Sequence, residues 1–148
     1  MLNSRVIRYR ERLWPGPWTF AATLLLIPAG LLVFLPIDTT IGVVAAVALF
    51  AIAIVILIAT TPTLLVTDRE FVAGRARLPL DAIGSVEAIT GQDAVLARGR
   101  ELDARAWLLL RGWVRDVVRV EVTDPADPVP YWLVSTRNAE RLAEALRG

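Results

Sequence analysis

Between Leu13 and Thr67 the chain carries one charged residue, Asp38. Two apolar stretches flank it, Trp18–Leu35 and Ile41–Ala59. At ~1.5 Å rise per residue they extend about 27 and 28 Å as helices, close to the ~30 Å hydrocarbon core of a bilayer. The rest of a 148-residue chain cannot enclose two helices that are apolar on every side. The pattern therefore predicts a transmembrane hairpin over residues 18–60, with spans 18–35 and 41–59. The first run exceeds the ~7–15 residues of a signal peptide's apolar region, and no small-residue cleavage site follows Leu35, so retention is expected.

Pro28 interrupts the first span, because it donates no backbone hydrogen bond; Thr23 or a neighbouring helix is expected to compensate for the freed carbonyl. The connector Pro36–Thr40 is short enough to force an antiparallel return. Residues 1–17 read as a basic leader and interfacial segment. Arg5, Arg8, Arg10 and Arg12 precede the first span, none lies in the connector, and Arg69, Arg75 and Arg77 follow the second. By the positive-inside rule both termini are expected to be cytoplasmic, on a chain that crosses a plasma membrane twice. Trp14 and Trp18 suit the aromatic belt at the inner interface.

Beyond Thr61 the pattern changes to short strands and turns, predicting a cytoplasmic domain over residues 61–148. Thr63–Thr67 and Glu70–Ala73 read as two strands joined at Asp68-Arg69. Ala76, Leu78 and Leu80 alternate with Arg75 and Arg77, and Ile83, Val86 and Ile89 suggest a further strand. Gly91–Arg105 is the least legible stretch, with QDAVLAR able to form a helical turn. Trp107–Arg111 reads as a strand, and Val118, Val120 and Val122 alternate with polar residues. Tyr131–Thr136 is the expected partner of that valine strand. A terminal amphipathic helix over 138–147 has Asn138 as N-cap and Leu142 and Leu146 on one face. The expected fold is thus a membrane α-helical hairpin plus a small, mainly β domain with a C-terminal helix. In element order the domain resembles the pleckstrin-homology-like partial barrels that bacteria attach to membrane hairpins.

Composition removes whole classes of chemistry. The chain has no cysteine, histidine or lysine, so thiolate nucleophiles, cysteine-ligated metals, serine–histidine triads and Schiff bases are excluded. Sixteen arginines against fifteen acids leave a net charge of +1, without the basic excess of a nucleic-acid binder. By region the charge is +3 over residues 1–13, −1 over 14–62 and −1 over 63–148. No cofactor is expected.

Three segments, RYRERLWP (8–15), GRARLPL (74–80) and DPADPVPYWLVSTRNAERLAEAL (124–146), are together similar to the actinobacterial domain-of-unknown-function family 3093, which comprises small two-span membrane proteins. Ala139 stands where that family pattern leads one to expect proline. The resemblance implies topology and host group, with no activity or catalytic residues to carry over.

No catalytic or metal-binding residues are expected. The Asp124/Asp127 pair lacks the spacing of a calcium loop and reads as turn chemistry. Asp38 reads as a solvated connector acid. Gly42, Ala46 and Ala53 lie near one face of the second helix and could seat it against the first or against another subunit. Trp107, Trp113, Tyr131 and Trp132 read as core of a small domain. Arg5, Arg8, Arg10, Arg12, Trp14 and Trp18 are the candidate contacts with anionic headgroups of the inner leaflet. The functional expectation is a non-enzymatic, membrane-anchored binding or scaffolding module, an accessory subunit whose partners are membrane lipids and a membrane or cytoplasmic protein. The alternatives are a carboxylate- or metal-dependent hydrolase at the membrane surface, using acids such as Glu87, Glu101, Asp103 and Asp116, or a small transporter subunit.

Overall fold

A computed structural model describes residues 5–148. The chain divides into two compact units, residues 14–61 and residues 1–13 with 62–148. The division corrects the expected leader: Ile7–Arg12 is a strand, β1, and it belongs to the same unit as the C-terminal domain. The first four residues of that expected leader lie outside the described residues.

The apolar unit holds α1 (Pro17–Leu24), α2 (Leu26–Phe34) and α3 (Thr39–Ala59). Pro17 opens α1 at the position where its missing N–H costs nothing. The first span breaks at Leu25, whose N–H donates to the Ala22 carbonyl at 3.1 Å instead of one residue further back. The cause is Pro28, whose ring crowds the carbonyl four residues earlier, that of Leu24. Thr23 does not compensate as expected; its hydroxyl donates to the Thr19 carbonyl at 2.8 Å. Helix α3 starts two residues before the expected span because Asp38 caps it. The Asp38 carboxylate accepts from the N–H groups of Thr40 and Ile41 at 2.7 and 3.1 Å.

The two runs of helix are long and apolar enough to cross a membrane. Their only buried residues are Gly30, Gly42 and Ala46, unlike the core helices of a soluble protein, and large side chains such as Leu32 and Val55 stand exposed. The buried residues mark where α2 and α3 touch. A Cβ on Gly30 would lie 3.1 Å from the Ala46 Cα, and one on Gly42 3.4 Å from the Leu35 backbone nitrogen. Small residues allow this approach.

The second unit contains two four-stranded sheets. Sheet 1 is an antiparallel meander of β1, β2 (Thr63–Thr67), β3 (Glu70–Ala73) and β4 (Ala76–Pro79). In register, Arg12 opposes Thr63, Arg10 opposes Leu65, and Tyr9 opposes Val66, with a bulge between Ile7 and Tyr9. The α1–α3 unit is thus the connection between two paired strands. The last contact of that pair is the Leu13 N–H donating to the Pro62 carbonyl at 3.0 Å. Gly74, at φ +61°, takes the first position of the two-residue turn from β3 to β4, where a side chain would be strained.

Sheet 2 contains β5 (Ile83–Ile89), β6 (Trp107–Leu109), β7 (Val117–Val122) and β8 (Tyr131–Ser135), in the order β5-β7-β8-β6. β7 and β8 pair antiparallel, as the sequence suggests, while β6 runs parallel to β8. β5 and β6 run in the same direction at opposite edges of the sheet, so the chain between them must cross it, and the illegible stretch with α4 (Gly91–Arg98) makes that crossing. The helix α5 (Ala139–Arg147) closes the unit.

The main core lies between the sheets and α5. Leu13, Leu64, Val66 and Phe71 from sheet 1 meet Val118, Val120 and Val134 from sheet 2, with Leu142 and Leu146 from α5. The Phe71 and Trp132 rings are 5.8 Å apart, and Trp107 lies 4.4 Å from Trp132. A smaller cluster of Ile89, Ala94, Ala97, Val117 and Leu133 packs beneath α4. Val117 and Val118 therefore point to opposite faces and are both buried.

Candidate functional site

Alternation along β1 turns Tyr9, Glu11 and Leu13 inward and Arg10 and Arg12 outward. The burial agrees, with Leu13 fully buried and both arginines exposed. The inward set builds a polar clamp. The Glu11 carboxylate accepts from the Tyr9 hydroxyl at 2.7 Å, from the Thr136 hydroxyl, and from the Arg137 N–H at 2.8 Å. Thr136 is fully buried. Burial raises the Tyr9 phenol above its ordinary value, and Glu11 adds to this through its hydrogen bond and negative charge. This cluster fastens β1 to the segment joining β8 and α5.

The outward set lies on the open face of sheet 1. Leu64, Val66, Phe71, Ala73 and Leu78 are buried on the inner face, so Leu65, Glu70, Val72 and Arg77 share the outer one. Cross-strand register aligns Arg10, Leu65, Val72 and Arg77 in one row. Glu70 accepts from Arg5 at 3.4 Å and from Arg77 at 3.3 Å. Arg5, Arg69, Glu70 and Arg77 line a cleft of about 270 Å³ at the end of the sheet near Thr67.

The expected lipid contacts fall in both units. Arg10 and Arg12 belong to β1 of sheet 1, and Arg5, which precedes that strand, pairs with Glu70. Arg8 falls at the bulge, and a Cβ on Gly148 would sit 3.7 Å from its guanidinium. Trp14 and Trp18 are exposed residues of the helical unit. Arg75 and Arg77, read from sequence only as topology signals, are brought to the same sheet as Arg10 and Arg12 by the meander.

Of the four acids of the hydrolase alternative, Glu87 and Glu101 meet at Arg119, and Asp103 and Asp116 have other partners. Arg119 bonds Glu87 at 3.1 Å and lies 3.9 Å from Glu101, with Tyr131's ring 5.3 Å away and its own Nε buried without a hydrogen-bond partner. Glu87, Thr90, Asp93, Glu101 and Arg119 line a cleft of about 230 Å³. Asp103 instead pairs with Arg105 at 3.1 Å, and the Arg105 side chain and N–H hold its carboxyl below the usual range. Asp116 accepts from the Gly91 N–H at 3.3 Å. Among the described residues no group of three or more acids is placed to hold a metal.

The remaining candidates are structural. Asp124 and Asp127 each accept the N–H two residues on, from Ala126 at 3.0 Å and Val129 at 2.9 Å, which is turn chemistry. Trp132 belongs to the main core, and Trp107 and Trp113 are partly buried against that core. The Trp113 indole donates to the Leu13 carbonyl at 3.2 Å, while the Tyr131 hydroxyl accepts from the Asp103 N–H at 2.9 Å.

No curated protein and no solved structure matches the chain. The family described as "Protein of unknown function (DUF3093)" matches residues 8–146, from the second residue of β1 through nearly all of α5. The sheet, the helical insertion and the closing helix are thus covered by one family match, and the chain belongs to the DUF3093 family.

Proposed function

We propose that this protein is a non-enzymatic, membrane-anchored binding module: α1–α3 cross the plasma membrane of a bacterium, and the β unit, with both termini, sits in the cytoplasm as an accessory or scaffolding subunit for another protein. The observation that carries the reading is the insertion of the helices between β1 and β2. A span attached through a loose leader could swing away from its domain. Here β1 and β2 are paired strands of one sheet, so two short connections tie the domain to its anchor. The same pairing keeps both ends of the hairpin on one side of any bilayer it crosses. The absence of cysteine, histidine and lysine from the sequence supports binding over covalent or imidazole-based catalysis. The strands-then-helix order supports a pleckstrin-homology-like ancestry, with the parallel β6–β8 pair as a departure from it.

Cross-linking in intact cells, followed by purification of the full chain under denaturing conditions, tests the proposal. The expected product joins a distinct protein reproducibly to the β unit at a fixed set of positions. Adducts only with itself, or scattered adducts that vary between preparations, would overturn it.

A further inference from the structure

The β unit carries sixteen arginines against fourteen acids, Asp38 being the one charged residue of the helical unit. That near-balance is not evenly distributed. Arg10 and Arg12 project from the outer face at one edge of sheet 1 and Arg77 at the other. Arg75 occupies the turn into β4, and Arg5 reaches the face through Glu70. Glu70, paired with Arg5 and Arg77, is the one acid at the outward strand positions of this sheet, and without these five arginines and Glu70 the unit is net negative. Between the two edges Leu65 and Val72 are half-buried. At ~4.8 Å between strands, the row Arg10–Leu65–Val72–Arg77 spans about 14 Å, with cations at its ends and aliphatic side chains in the middle.

A broad face of this kind is too wide for one phosphate to bridge and has the shape of a planar interface. Its chemistry matches a surface of phosphodiesters, since the guanidinium fork pairs with phosphate oxygens. Chain length supplies the ligand. Four residues separate Arg12 from α1 and three separate α3 from Thr63. At no more than ~3.6 Å per residue, connections of that length reach no further than roughly 15–20 Å.

We propose that the outer face of sheet 1, through Arg5, Arg10, Arg12, Arg75 and Arg77, docks on anionic phospholipid headgroups of the membrane that the helices cross. This rests on the anchored reading above and adds the ligand of one face. Folding, not the leader by itself, makes the surface, because two of its arginines precede the spans on β1 and two follow them at β4.

The chain has no cysteine, so Val72→Cys in the full-length protein gives a unique site for an environment-sensitive fluorophore. The labelled protein is placed in nanodiscs of phosphatidylcholine alone, or of an equal mixture with phosphatidylglycerol, and quenched with acrylamide, which is neutral. Quenching is expected to be several-fold weaker in the mixture and to recover when salt is raised. Each arginine replaced by glutamine is expected to reduce the docked fraction's equilibrium roughly fivefold. R10Q/R77Q should therefore restore quenching, while R10K/R77K should preserve protection. A label at Val95→Cys, on exposed α4, should respond to neither lipid.

Equal quenching at Val72→Cys in both discs overturns the proposal, as does protection indifferent to salt and to R10Q/R77Q. Protection that appears only on adding a cell extract also overturns it, in favour of an acidic protein on this face. A chain that fails to enter the bilayer overturns the anchored reading and this one with it. Uniform accessibility in an inserted chain overturns this one alone.

Discussion

Removing residues 14–61 and joining Leu13 to Pro62 by a short Gly-Ser linker should yield a soluble, cooperatively folding protein. Deleting residues 1–62 should not, although both changes remove the two spans. The difference lies in β1. Its loss removes Leu13, a fully buried leucine, at a cost of about 2–5 kcal/mol for a cavity of that size. It removes the Glu11 acceptor from the buried Thr136 hydroxyl and from the Arg137 N–H, at roughly 1–3 kcal/mol for a buried group left unsatisfied. The Trp113 indole also loses the Leu13 carbonyl, and β2 becomes an exposed edge with its ladder to β1 gone. Together these cost roughly 5–8 kcal/mol, while a domain of this size is stable by about 5–15 kcal/mol. The deletion fragment is therefore at or beyond its unfolding threshold. The excised protein keeps every one of these contacts, and its new linker joins residues already hydrogen-bonded across the pair. Urea unfolding followed by near-ultraviolet circular dichroism in detergent-free buffer distinguishes the two. Equal midpoints would refute the argument by showing that β1 contributes nothing to the fold.

Three further outcomes are expected. Glu11→Ala in the excised protein should lower its stability by about 2–4 kcal/mol, because three donors lose one charged acceptor; a urea midpoint within error of the parent would contradict the clamp. The Tyr9 phenol is raised above 10 in the folded chain, so above that pH the unfolded chain gives up its proton first. The contribution of Tyr9 is therefore intact below about pH 10 and declines as pH rises through the folded value, whereas Tyr9→Phe should show a flatter dependence between pH 9 and 11. In the full chain, Gly30→Ala places a Cβ 3.1 Å from the Ala46 backbone and should weaken the α2–α3 contact by about 1–3 kcal/mol, measured as a lower midpoint in a dodecyl sulfate titration of helicity.

The elements legible in sequence were those whose burial pattern is local. Two uncharged apolar runs specify spans because every side chain on them would meet lipid. β2 and β3 have the boundaries that their alternation suggests, and the Asp-Pro run caps its own backbone as its composition requires. The segment Ile7–Arg12 carries no apolar strand signal in the sequence for a physical reason. Its inward residues include Tyr9 and Glu11, which are polar, so period two does not appear as a hydrophobic signal. Their partners, Thr136 and the Arg137 N–H, lie 125 residues or more further along. The strict alternation of Arg8, Arg10 and Arg12 with Ile7, Tyr9 and Glu11 was the available clue. Four arginines before an apolar span read just as well as a topology signal. The stretch around α4 is obscure because it links β5 to β6 at opposite edges of sheet 2, and that strand order is also set by non-local pairing.

The amino-acid sequence alone determined what this chain can be made of: two apolar helices, a set of short strands, an amphipathic terminal helix, and no thiol, imidazole or amine side chain. These are properties of composition and short period, which neighbouring residues fix between themselves. The tertiary structure alone decided that the helices are an insertion within a sheet and not an appendage to it. It also gathered arginines from either side of the spans onto one face and brought Glu87 and Glu101 to Arg119. The insertion and the arginine face depend on strand register between segments separated by the whole hairpin, and register is set by the packing of the core, where Leu13, Glu11 and Thr136 meet.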